Sequence, residues 1–343
     1  MANIIDGIVG QPADRKVRAV LDRTVKEFEL AAEKVAVNHA EPAKFPLPSG
    51  TGFTEQILAQ RFAKLPADTR KAAAAGAARR LGAHTPKAEL GSVDLSKPTA
   101  IEQQVSALPF PAALAFTPAK VAAPAEMTAA LAVQPPLRHL ELRIHKVRCD
   151  DETNGLFGSE AGSDEIDLGG TTVDESGDTG KVSPFRVRSF GHDRDVQLYN
   201  PPRRFTFFNL TEGTAFPKTY VVTLALAEID SGGFNEFLRK LTEKIKDRVI
   251  AALTAAIGGA VGASGGPIGI AIGVAVGYVV GKVFELLSNL WKDDVFKPVP
   301  VHVTIPSLSA RWTGGKTDGP EQTAVFKGFG GQYTVTYDWK LYT

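Results

Sequence analysis

The 343-residue chain carries 39 lysine and arginine residues against 38 aspartate and glutamate, a formal net charge of +1. That balance excludes a nucleic-acid binder working through a positive field, so no nucleic-acid partner is expected. The single cysteine, Cys149, excludes an intramolecular disulfide framework and fits synthesis in a reducing compartment.

The opening residues Met1-Ala-Asn-Ile-Ile-Asp show neither a basic n-region nor an apolar h-region. The sequence therefore reads as made in the cytoplasm without a Sec signal and acting at a membrane, with non-classical export as the route if it works outside the cell. Over 12–39, Val17, Val20, Leu21, Val25, Phe28 and Ala32 recur at helical intervals, with charged residues on the other face. Proline-rich 41–52 ends that helix, and shorter helices are expected at 54–64 and 67–82. Residues 107–136, rich in alanine and proline, read as a linker between a helical N-terminal region (1–106) and the C-terminal part of the chain.

After Pro136 the apolar period changes from 3.6 to 2. Leu140, Leu142 and Ile144 alternate with charged neighbours. Short strands are expected at 184–190, 205–210 and 219–227, then at 299–305 and 333–341. The fold class is thus α+β: a helical N-terminal region plus an antiparallel β-sandwich (137–343) interrupted by an inserted helical hairpin at 234–292.

The insertion is the most informative stretch. Val249–Gly281 holds no charge, and glycine falls at Gly258, Gly262 and Gly266, then at Gly265, Gly269, Gly273, Gly277 and Gly281. Each interior glycine costs a helix about 0.8–1.0 kcal/mol relative to alanine. The loss is explained if missing Cβ atoms let two helix backbones approach closely, as in lipid. Gly265-Gly266-Pro267 marks the turn. The uncharged arms of roughly 15 residues span about 22 Å at the helical rise, short of a bilayer core. Extension to Ile245 and Leu290 brings them near spanning length, with Trp291 expected as an interfacial anchor.

Between Cys149 and Gly180 stand ten carboxylates and no lysine or arginine. Asp150-x-Glu152-x-Asn154-Gly155 has the spacing of the first half of an EF-hand loop, but Ala161 occupies the position of the bidentate glutamate. What survives is a hard-cation site, with Ca2+ as the candidate cofactor and Asp150, Asp151, Asn154, Asp164 and Glu165 as ligands. A solvated acidic loop is the alternative.

No HExxH, Walker or paired CxxC motif is present, so an enzyme is not expected. The leading expectation is a membrane-active protein, a pore-forming or membrane-disrupting toxin or effector. Its partners are a lipid bilayer and further copies of itself, joined through the glycine-zipper hairpin. The alternative is a structural or cargo component of a bacterial secretion or phage-tail-like assembly, with the delivery or assembly machinery as partner.

Overall fold

Asp14 sets the start of the first long helix, its carboxylate accepting from the backbone N–H groups of Lys16 (2.7 Å) and Val17 (3.2 Å). The computed structural model describes residues 4–83, 90, 92–110, 135–153, 164–213, 216–228, 233–257, 267–291, 296–328 and 330–343. Helix α1 (Arg15–Ala40) is more enclosed than its sequence pattern implies: Arg23, Glu27, Glu33 and Lys34 are buried along with Leu21, Phe28 and Val35. The expected charged face is therefore a solvent face only in part, at residues such as Arg15, Lys16 and Asp22. Helices α2 (Thr54–Phe62), α3 (Ala67–Ala83) and α4 (Ile101–Ser106) pack around α1 and, with the segment before α4, supply partners for Arg23, Glu33 and Lys34. Lys34 donates to the carbonyls of Lys97 (2.7 Å) and Thr99 (3.0 Å), and Arg80 pairs with Glu33 at 2.7 Å.

The strands form two antiparallel sheets. β1 (Ile5–Ile8), β3 (Asp164–Val173), β4 (Thr179–Phe190), β6 (Lys218–Glu228) and β7 (Val299–Ile305) make one, in the order β1-β7-β6-β3-β4. β2 (His139–Asp151), β5 (Val196–Asn209), β8 (Gln322–Gly328) and β9 (Gly331–Tyr342) make the other, in the order β5-β2-β9-β8. Both sheets contribute to a single buried cluster, with Leu140, Ile144, Tyr337 and Trp339 from one and Leu168, Tyr220, Leu224 and Val303 from the other.

The reverse face of the five-stranded sheet belongs to a second core. Val173, Val221, Ala225 and Ala227 join residues from α1–α4 and from two further helices, α5 (Phe234–Ile257) and α6 (Pro267–Trp291). Strand β6 thus buries both faces, Tyr220, Val222, Leu224 and Leu226 toward the other sheet and the alternate residues toward the helices. This explains its unbroken apolar run.

Three expectations change here. Residues 1–106 are not helical throughout, because Ile5–Ile8 pair with Val301–Thr304 of β7. The helical region and the 234–292 insertion share one hydrophobic cluster, so the expected 107–136 boundary does not separate two cores among the described residues. The acidic stretch is also not all loop: its second half is β3, hydrogen-bonded to β4 on one side and β6 on the other.

Candidate functional site

Helix α5 buries Phe234, Phe237, Leu238, Leu241, Ile245, Val249 and Leu253, the three- and four-residue spacing of one helix face. Helix α6 is enclosed on more sides, burying Ile272, Ala275, Val276, Val279, Val280, Val283, Phe284 and Leu287. Its neighbours are α1, α3, α5, β6 and β7.

The glycine stripe of α6 turns toward the sheet. A Cβ built at Gly273 would lie 3.1 Å from Val221 Cγ2, and one at Gly277 would lie 3.0 Å from Val9 Cγ2 and 3.2 Å from Val221 Cγ1. At Gly281 the nearest atom is Pro300 Cγ at 3.6 Å. In this conformation these three glycines let α6 approach β6, β7 and the segment after β1, not α5. Gly269 lies within α6, while Gly258, Gly262, Gly265 and Gly266 fall outside the described residues. Trp291 is a core residue at 1% exposure, packed edge-on against Phe62 with ring centroids 5.2 Å apart, and is no interfacial anchor here.

Polar contacts fasten the two helices to their cover. Arg248 of α5 makes a bidentate pair with Glu27 of α1, Nε to Oε1 at 2.6 Å and Nη2 to Oε2 at 2.9 Å, and also donates to Ser106 Oγ (3.0 Å). Burial pushes the Glu27 carboxyl above its ordinary range, against the downward pull of Arg248. One turn earlier, Lys244 pairs with Glu102 at 2.8 Å, and Glu102 also accepts from Thr54 Oγ1 at 3.0 Å. On α6, the Tyr278 hydroxyl donates to Asp22 at 2.8 Å.

The expected cation ligands do not converge. Asp150 accepts from Arg148 Nε, Gln332 Nε2 (3.3 Å) and Thr334 Oγ1. Asp164, buried, accepts from the Thr153 N–H (2.8 Å), Thr153 Oγ1 (2.7 Å) and the Tyr333 hydroxyl (2.5 Å). Glu165 and Asp167 share Arg186 of β4, at 3.2 and 3.0 Å. Asp151 is exposed at the end of β2, and Asn154 lies outside the described residues. Among the described residues no group of three His, Cys, Asp or Glu is placed to hold a metal. Carboxylates with no cation near them in sequence find one across the sheet, because β3 runs beside the arginine-bearing β4. The Cys149 thiol, fully buried, is pushed up by that burial to about 11 and stays protonated at neutral pH.

Two titratable groups lie where the N-terminal strand pairs with β7. Asp6 of β1 accepts from Trp312 Nε1 at 3.2 Å, and the adjacent His302 of β7 is pushed below its usual value by burial, with Asp6 acting against that shift. The folded state thus resists a proton at His302 that the unfolded chain accepts, so this group's stabilisation is present above the usual histidine value of 6.5 and fades as pH falls through it. His302→Gln is therefore expected to gain melting temperature relative to the native chain between about pH 7.5 and about pH 5.5. An unchanged gap across that range would remove His302 from the acid response.

Compared with protein-family models, curated proteins and solved structures, the chain matches none of them. The functional reading therefore rests on the residues themselves. Of these, Asp22, Glu27 and Glu102 have no signature in the sequence, since Tyr278, Arg248 and Lys244, which they hold, stand more than a hundred positions away.

Proposed function

We propose that the protein acts on membranes, with α5 and α6 as the membrane-directed element. In this reading the two sheets form a β-sandwich scaffold, α1–α4 are a releasable cover, and the buried ion pair between Glu27 and Arg248 is its latch. The observation that carries the reading is the charge-free stretch Val249–Gly281, which overlaps a helical segment, Ile272–Trp291, long and apolar enough to cross a bilayer. Burial of 61% of that segment is what a water-soluble storage form requires, since an exposed apolar surface of this size would drive aggregation. Once the helices leave the sheet, the glycines that face Val9 and Val221 become available for close helix–helix packing in lipid and for self-association.

The same burial favours a second reading, a component of a secretion or phage-tail-like assembly in which α6 is permanent core. Dye release from liposomes separates the two. The membrane reading expects leakage that rises with protein concentration, and faster leakage when Glu27→Gln weakens the latch. Intact liposomes at every concentration, for both proteins, would leave the assembly reading in its place.

A further inference from the structure

A groove of about 530 Å³ opens beside the C-terminal half of α6, where that helix passes the end of β1 and the start of β7. Its walls are apolar. Ile8 and Val9, Pro300 and Val325 of β8 line it, with Ile8 54% and Val325 42% exposed. Gly277 and Gly281 lie on the helix side, where a Cβ built at Gly281 would stand in ordinary contact with Pro300 Cγ at 3.6 Å. The mouth carries three lysines, Lys282, Lys297 and Lys327, against one carboxylate, Glu285. Glu285 is already engaged by Lys282 at 3.3 Å and Lys297 at 3.1 Å. Among the described residues Lys327 makes no ion pair, so the mouth carries an excess of two positive charges over an apolar slot.

We propose that this groove binds a free long-chain carboxylate, its single acyl chain lying between Gly281, Pro300 and Val325 and its head group held by Lys297 and Lys327. The volume falls within the roughly 300–1,000 Å³ typical of small-molecule sites, and the apolar walls with a few charged groups at one end follow the usual pattern. A neutral chain of equal length would bury the same surface but leave the lysines without an anion. The charge excess therefore selects the carboxylate over the alcohol. The inference is independent of membrane insertion, and its test contains no bilayer.

The experiment is a fluorescence titration of the full-length protein with cis-parinaric acid, a fatty acid that brightens in apolar surroundings, followed by displacement with palmitate or with hexadecanol. Saturable binding is expected, with palmitate displacing the probe at a concentration at least about tenfold lower than hexadecanol. Gly281→Leu, which grows a side chain into the slot, should weaken probe binding at least about tenfold. Val325→Trp fills the slot from β8 at an exposed position and serves if the glycine variant does not fold. Lys297→Gln with Lys327→Gln should weaken palmitate and leave hexadecanol unchanged. No saturable signal, equal displacement by acid and alcohol, or unaltered affinity in the slot-filling variants would each overturn the assignment.

Discussion

Replacing Arg248 with methionine is expected to destabilise the fold by about 3–5 kcal/mol, the usual penalty for removing one partner of a buried ion pair. The side chains of Glu27 and Arg248 are 3% and 16% exposed, so water cannot take over the lost contact. Urea unfolding measures the loss. The double variant with Glu27→Gln should recover most of it, because the uncompensated charge is then gone. The pH dependence has a defined sign. Burial already holds the Glu27 carboxyl above its usual range, and removing the guanidinium leaves that burial unopposed. A carboxyl raised in the folded state destabilises when ionised and ceases to do so once protonated, so the single variant regains stability as the pH falls. If Arg248→Met melts within about 0.5 kcal/mol of the native chain, a surface-pair magnitude, the clamp is not a latch.

The second large effect is at the glycine stripe. Gly277→Leu should destabilise the water-soluble protein by up to about 2 kcal/mol net, an overpacking cost of about 1–3 kcal/mol less the roughly 1 kcal/mol gained in helix propensity. Its Cβ alone would stand 3.0 Å from Val9 and 3.2 Å from Val221. Gly281→Ala has the opposite expectation. With Pro300 at 3.6 Å the new methyl meets ordinary contact, and the propensity gain of about 1 kcal/mol should survive. Differential scanning calorimetry of the two variants reads the contrast. Stabilisation of both would mean that the stripe does not pack on the sheet in solution.

The two glycine effects also show what one-dimensional patterning carries. Period and uncharged length locate α6 well, and the alternation in 299–305 and 333–341 matches β7 and β9 closely. What the stripe touches is a tertiary fact: the same spacing suits a helix or a sheet as partner, and here Val221 and Val9 occupy it. Strand β3 is hidden for a related reason. Its carboxylates resemble a loop until Arg186 on β4 and Tyr333 on β9 are brought beside them. β1 is four residues long and relies on β7, some 300 positions away, for its pairing. An amphipathic pattern assigns the buried charges of α1 to solvent because it cannot distinguish water from a second layer of helices bearing opposite charges.

β6 and β7 are hydrogen-bonded neighbours, with Leu224 opposite Val299, although the whole of α5 and α6 lies between them in the chain. The excursion therefore begins and ends at one place in the sheet, like a drawer whose two runners are mounted side by side. Withdrawing it breaks no strand pairing, and every register from Lys218↔Ile305 to Leu224↔Val299 can persist while the helices move. The entropy of closing such a loop grows only logarithmically with its length. Loop closure therefore sets little limit on the length of the excursion between these two strands; its fit to the reverse face of β6, at Val221 and Ala225, is what constrains it.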